Sequence, residues 1–234
     1  MCIGKFFWGT SMFRKLALMG ALAGLTATSA HAVTQTFNDE ALWRNAVGGV
    51  FGFEDFDGIA TGTELFTLPN LDISLDPLND GTQPTVQPYS STGGVQRSGP
   101  NNILNDADFS LPGRGPITIR PIDANDFIFG LGMWNVGGDD TLSLTFYDDA
   151  GLEIASVVSA QSSGFFGIVD DTGAKSAVIN FVGGNGYAPT DDWQAATRST
   201  FVPPPSTVPL PASMPLVVAG MAALFGLSRR RRKG

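Results

Sequence analysis

The sequence predicts a mainly β protein: an antiparallel β-sandwich or jelly roll with one short N-terminal helix, flanked by a signal-peptide helix and a C-terminal transmembrane helix. Three observations predict it. Short segments rich in β-formers, bounded by Gly, Pro or Asp, recur between residues 50 and 182. One of them, Thr141-Leu142-Ser143-Leu144-Thr145-Phe146-Tyr147, alternates polar and apolar side chains as a half-buried strand must. Both chain ends set an apolar run beside basic residues.

The helix comes first. Asn38 suits an N-cap, Asp39 and Glu40 suit the first turn, and Gly48-Gly49 supplies a stop. Phe37 and Leu42 then occupy the positions of a hydrophobic staple, and Trp43 is placed to pack the helix on the sandwich. Strands are expected over residues 50–56, 117–120, 126–131, 164–169 and 177–182. A hairpin joins 141–147 to 152–158 through Asp148-Asp149-Ala150-Gly151. Residues 68–105, full of Pro, Gly, Asn and Ser, read as a long loop region.

The ends read as sorting segments. Lys5, Arg14 and Lys15 precede an uncharged stretch over 16–25, and Ala30-His31-Ala32 forms a small-residue cleavage site before Val33. Met1 and Met12 are both candidate starts. At the other end, residues 199–228 carry no charge and run into Arg229, Arg230, Arg231, Arg232 and Lys233. An apolar run stopped by cations holds those cations on the cytoplasmic side. The expected organisation is a signal peptide over 1–32, a β-sandwich body over 33–200, a Pro-rich linker over 201–207 and a sorting tail over 208–234.

Composition narrows the chemistry. All 22 acidic residues lie in the body, against six basic ones: Arg44, Arg97, Arg114, Arg120, Lys175 and Arg198. A body near −16 repels nucleic-acid phosphates, so no nucleic-acid partner is expected. The only His and the only Cys, His31 and Cys2, fall in the signal segment. The mature body therefore has no thiolate nucleophile, no Ser-His-Asp triad and no ordinary zinc site. Carboxylates remain, and they suit hard cations.

Val208-Pro209-Leu210-Pro211-Ala212-Ser213, then an apolar helix, then an Arg-rich end resembles the PEP-CTERM sorting signal in its VPLPA variant, with Leu210 where Glu usually stands. Exosortase-type transpeptidases of Gram-negative bacteria process such tails. The resemblance implies recognition in the inner membrane, a cut near Val208, Pro209, Leu210 and Pro211, and a body released or left on the cell surface. The body also resembles β-sandwich domains that often precede these tails, through Phe53-Glu54-Asp55-Phe56, the 144–151 hairpin and Gly164-Phe165-Phe166-Gly167. It departs from them in having little β-like sequence after Trp193. No activity carries over from that group.

Two site hypotheses follow. Glu54 near the first strand and Asp191 and Asp192 near the last could converge on a calcium ion if those strands are neighbours, with solvated turn acids as the competing reading. Trp134 and Tyr187 could stack on sugar rings, with core packing as the competing reading. The pairs Asp139-Asp140, Asp148-Asp149 and Asp170-Asp171 read as turn formers. The expected function is a non-enzymatic, exported, surface-associated or secreted protein, a component of extracellular matrix or biofilm. Its expected partners are signal peptidase, an exosortase-type enzyme, the inner membrane in transit, and polysaccharide as a ligand class. A carbohydrate-binding module, with or without calcium, is the alternative. A glycoside hydrolase, needing only two carboxylates, is more distant.

Overall fold

Period-two alternation is what sorts this chain into faces, and the burial along β9 (in the numbering that follows) is the clearest case: Leu142, Leu144 and Phe146 point in, and their neighbours point out. The computed structural model describes residues 33–92, 94–106, 115–183 and 186–197, all within the compact unit Ala32–Pro204. The signal segment with Ala30 and Ala32, the linker, and the tail with its motif and basic cluster lie outside the described residues. Among the described residues no helix is long and apolar enough to cross a membrane.

The chain enters through β1 (Thr34–Phe37) and helix α1 (Glu40–Ala46). It continues through β2 (Gly52–Glu54), β3 (Thr67–Leu68), a 3-10 turn (Pro69–Leu71), β4 (Ile73–Leu75) and β5 (Thr85–Pro88). The single-turn helix α2 (Tyr89–Thr92) leads to β6 (Asn101–Leu104) and β7 (Ile117–Pro121). Then come β8 (Ile128–Asn135), β9 (Thr141–Tyr147), β10 (Glu153–Val158), β11 (Gly164–Ala174), β12 (Ser176–Gly183) and β13 (Thr190–Thr197). These strands form two antiparallel sheets. The first runs β1-β11-β8-β13-β6-β5, with β2 also paired to β13; the second runs β10-β9-β12-β7-β4-β3. One apolar cluster draws on both: Leu131, Phe166 and Trp193 from the first sheet meet Ile119, Phe146 and Ile179 from the second.

Several local expectations are corrected. The N-cap is Asp39, whose carboxylate accepts from the Leu42 amide at 2.9 Å; Asn38 instead donates to the Val158 carbonyl. With the cap one residue later, Leu42 turns to solvent and the Phe37–Leu42 staple is not made. The stretch 68–105 is not one loop: it supplies β4, β5, α2 and β6. Asp170-Asp171 do not separate two strands but lie inside the long β11, at a register shift between Val169 and Ala174. There the buried Asp170 accepts from the Thr172 and Gly173 amides and from the Thr34 hydroxyl. The carboxylate thus closes the bulge it sits in. Asp148 does act as a turn former, accepting from the Ala150 and Leu152 amides.

The outer face of the first sheet is covered by α1 through a second apolar cluster of Trp43, Val47, Phe165, Val169 and Ala196. Trp43 is fully buried there, its indole N–H donating to the Ile168 carbonyl at 3.1 Å. Gly130, Gly132 and Gly167 make room for it. A Cβ on Gly167 would stand 2.7 Å from the Trp43 ring, and one on Gly132 would stand 2.5 Å from Phe165. Gly167→Ala is therefore expected to cost about 2 kcal/mol by overpacking. Gly58→Ala, with nothing near its added methyl, should change stability by no more than about 0.5 kcal/mol. Urea unfolding of the two variants checks this, and equal stabilities would contradict the glycine floor.

Candidate functional site

The densest polar constellation lies where α1, the loop after α2, β8 and β13 meet. Strand β13 creates it by a bulge. Asp191 pairs with Trp134 and Gln194 with Gly132, so three steps on β13 oppose two on β8. The extra residue is taken up at Asp192, whose φ of 49° is left-handed. Asp tolerates that region better than most side chains. The bulge sends Trp193 into the sandwich core, while Gln194 faces α1.

Glu40, the first residue of α1, is the hub. Its Oε1 accepts from Arg44 at 2.6 Å and from the Gln194 amide at 2.7 Å. Its Oε2 accepts from Arg97 at 3.1 Å and from the Trp134 indole at 3.2 Å. The Arg97 guanidinium also stands 3.3 Å from Asp192 and lies over the Trp134 ring, 4.0 Å from its centroid. A shallow recess of about 270 Å³ opens among Glu40, Arg44, Arg97 and Asp192.

Beneath it, Asp191 is fully buried. Its Oδ2 accepts from the Tyr89 hydroxyl at 2.5 Å and from the Ser98 hydroxyl at 2.8 Å. Burial pushes its pKa up to about 6, against the pull of Tyr89 and Ser98, which favour the charged form. Burial likewise raises Asp192, with Ser98 and Arg97 opposing and the charges of Glu40 and Asp55 adding to the rise. Tyr89 is held strongly towards its neutral phenol by burial and by its bond to Asp191. Among the described residues, Oδ1 of Asp191 and Oδ1 of Asp192 are buried without a hydrogen-bond partner.

The structure brings Asp191 and Asp192 into this cluster and makes β2 and β13 neighbours, with Glu54 opposite Trp193. The Glu54 carboxylate, however, accepts from the Phe56 amide and from Asn70. Among the described residues no three Asp, Glu, His or Cys side chains converge on a point that could hold a metal. The three expected ligands thus share neighbouring strands but not a common centre. Trp134 presents to Arg97 the face expected for a sugar, and Tyr187 is only 8 % exposed. Sequence reasoning missed Glu40, Arg97 and Tyr89. The usable signal was scarcity: with so few cations in so acidic a body, each Arg is apt to mark an acidic partner.

No protein-family model matches the chain, and no curated protein matches it either. Two solved structures are similar at a distance. One is the enzymatically active domain of tailspike protein 4 from bacteriophage CBA120, at 21% identity over 53% of this chain and 19% of that one, with a TM-score of 0.30. The other is a DUF4465 family protein from Bacteroides caccae, at 15% identity over 71% of this chain and 87% of that one, with a TM-score of 0.29. The match spans about a fifth of that tailspike domain's length. Neither likeness assigns a function.

A raised native pKa means that Asp191 binds its proton more tightly folded than unfolded. Its contribution is fully present below its ordinary value of 3.8 and is lost as pH rises through about 6. Asp191→Asn removes that titration. Relative to the variant, the wild type should therefore lose up to about 3 kcal/mol between about pH 4 and pH 7, whatever constant offset the amide brings. Urea unfolding across that range tests it; a pH-independent difference would show that Asp191 titrates normally.

Proposed function

We propose that this chain is an exported, non-enzymatic β-sandwich protein, sorted to the cell surface or released through its C-terminal signal as a component of extracellular matrix or biofilm. The observation that supports a passive body is that the hub of its polar cluster is occupied by the protein's own donors, with only Oδ1 of Asp191 and of Asp192 left over. Both Glu40 oxygens are taken by protein donors, and Asp191 is closed over by Tyr89 and Ser98. Hydrolysis by a carboxylate pair needs both groups open to substrate, and this cluster offers no such pair. The tail's likeness to the VPLPA signal supports the sorting. Intact-mass measurement on protein recovered from the cell surface and the medium should find Val33 at the start and the chain cut near 208–211. Replacing Arg229, Arg230, Arg231, Arg232 and Lys233 with Ser should abolish that tail cut while leaving export. Extracellular protein retaining Met1 or Met12, or unchanged tail cleavage in the Ser variant, would overturn the reading.

A second reading, a carbohydrate-binding module with a structural calcium, is favoured by one observation: the unpartnered, buried Oδ1 atoms of Asp191 and Asp192. A cation held there would draw further oxygens from backbone carbonyls to reach the 6–8 that calcium takes, as an approximate range. Under this reading calcium at 100 times its Kd adds about 2.7 kcal/mol to stability. The increment should be absent with magnesium at equal ionic strength and absent in Asp191→Asn with Asp192→Asn. Thermal melts decide it; a melting temperature indifferent to calcium and chelator removes the ion.

A further inference from the structure

The outer face of the second sheet carries a groove that the cluster around Glu40 does not involve. It crosses four adjacent strands at one end of the sheet. Ser74 on β4 pairs with Arg120 on β7, and Ser176 on β12 pairs with Tyr147 on β9. Ile119 pairs with Ala177, so the same antiparallel register sets Arg120 beside Ser176. The row Ser74, Arg120, Ser176, Tyr147 thus spans three strand spacings, about 14 Å. Two small serines alternate with two long side chains, which makes the floor concave. The 122–126 loop and the turn at Asp148–Gly151 wall a volume of about 430 Å³, inside the range of about 300–1,000 Å³ usual for small-molecule sites.

Its charges are unlike the rest of the body. Arg44 and Arg97 are both spent on Glu40. Lys175, at the groove, is the one basic side chain among the described residues with no carboxylate at ion-pair distance. Its ammonium is fixed by donating to the Ala124 and Asp126 carbonyls at 2.8 and 3.1 Å and by lying over the Phe127 ring at 4.0 Å. Arg120 gives its Nε–H to Asp76 at 2.9 Å, and its terminal amino groups have no protein acceptor among the described residues. Fixed donors of this kind in an acidic body suit an anion. Asp148 and Asp149 line the same groove, and Asp149 accepts no hydrogen bond among the described residues. Beside these carboxylates a doubly charged phosphate is disfavoured, whereas a ligand that carries a single carboxylate among hydroxyls meets both the cations and the acceptors.

We propose that this groove binds a carboxylated sugar, a uronic acid unit of a polysaccharide. Lys175 and Arg120 hold the carboxylate, Asp149 and the serines take the ring hydroxyls, and the half-buried Tyr147 ring flanks the sugar face. The proposal deepens the matrix reading by naming what the body holds. Binding is measured on purified full chain in mild detergent, so a failure of sorting and a failure of binding are separate outcomes.

The probe is trigalacturonic acid, titrated calorimetrically beside its methyl ester and a triglutamate peptide. The acid should bind, with the ester at least about tenfold weaker, since esterification removes the charge-assisted bonds. Lys175→Gln and Arg120→Gln should each weaken the acid about tenfold at unchanged melting temperature, and Lys175→Arg should restore most of it. If Lys175→Gln does not fold, Ser176→Leu fills the floor while keeping both cations and should abolish binding. No heat with the acid, equal affinity for the ester, or wild-type binding by these variants would overturn the proposal. Preference for triglutamate would assign the groove to acidic peptides instead and overturn the sugar.

Discussion

Trp43 can lie against the first sheet only because the sheet has no side chains beneath it. Gly130, Gly132 and Gly167 clear a floor on two adjacent strands, and Trp43 reaches across it to the Ile168 carbonyl. Phe51 and Phe165 meet the indole edge-on, with ring centroids 5.6 and 6.1 Å away. That contact fixes the roll and height of a helix only seven residues long, too short to be stable on propensity alone. Once Trp43 is seated, Glu40 and Arg44 on the same helix are carried over β13. The hub around Glu40 is therefore downstream of a packing event between an indole and three glycines.

Charge sets the second constraint. With 22 acids against six bases in the body, most carboxylates have no cation to meet. The fold disposes of several through backbone amides. Asp39 caps α1, Asp57 takes the Gly99 and Asn101 amides, and Asp170 closes the bulge in β11. Asp191 is the opposite case: burial outweighs the two hydroxyls it accepts from. The same residue type thus serves as an acceptor for backbone amides at turns and is pushed towards neutrality where β13 is buried on both faces.

What was legible in the sequence was whatever declared itself locally. The 141–158 hairpin alternates cleanly because one face meets the core and the other meets water, and it forms as expected. Trp43 was expected to dock the helix, and does. Strand β13 was not legible past Trp193. Its Gln194, Ala195, Ala196 and Thr197 look indifferent to burial, yet every residue of the strand is buried. A strand buried on both faces with polar partners shows neither alternation nor a hydrophobic run. Glu40 looked like an ordinary first-turn acid because three of its four partners lie 57, 94 and 154 residues away. The type of Trp134 suits either a sugar platform or core packing; only the fold brings Arg97 over its ring.

The two outer faces of the sandwich place their cations differently. On the first sheet, the two arginines converge on one glutamate and one aspartate, and a helix covers much of what remains. Apart from Oδ1 of Asp191 and of Asp192, partners there satisfy one another, so a ligand at Glu40 would have to displace bonds already made. On the second sheet, Lys175 is anchored by carbonyls and a ring, which hold its position without neutralising its charge. Carbonyl dipoles and an aromatic face solvate an ammonium but leave its field largely intact at the groove. Among the described residues the other cations each meet a carboxylate at ion-pair distance, while Lys175 has Asp123, Asp148 and Asp149 only as more distant neighbours and keeps a donor for an incoming anion. It does so in the groove between the 122–126 loop and the Asp148–Gly151 turn.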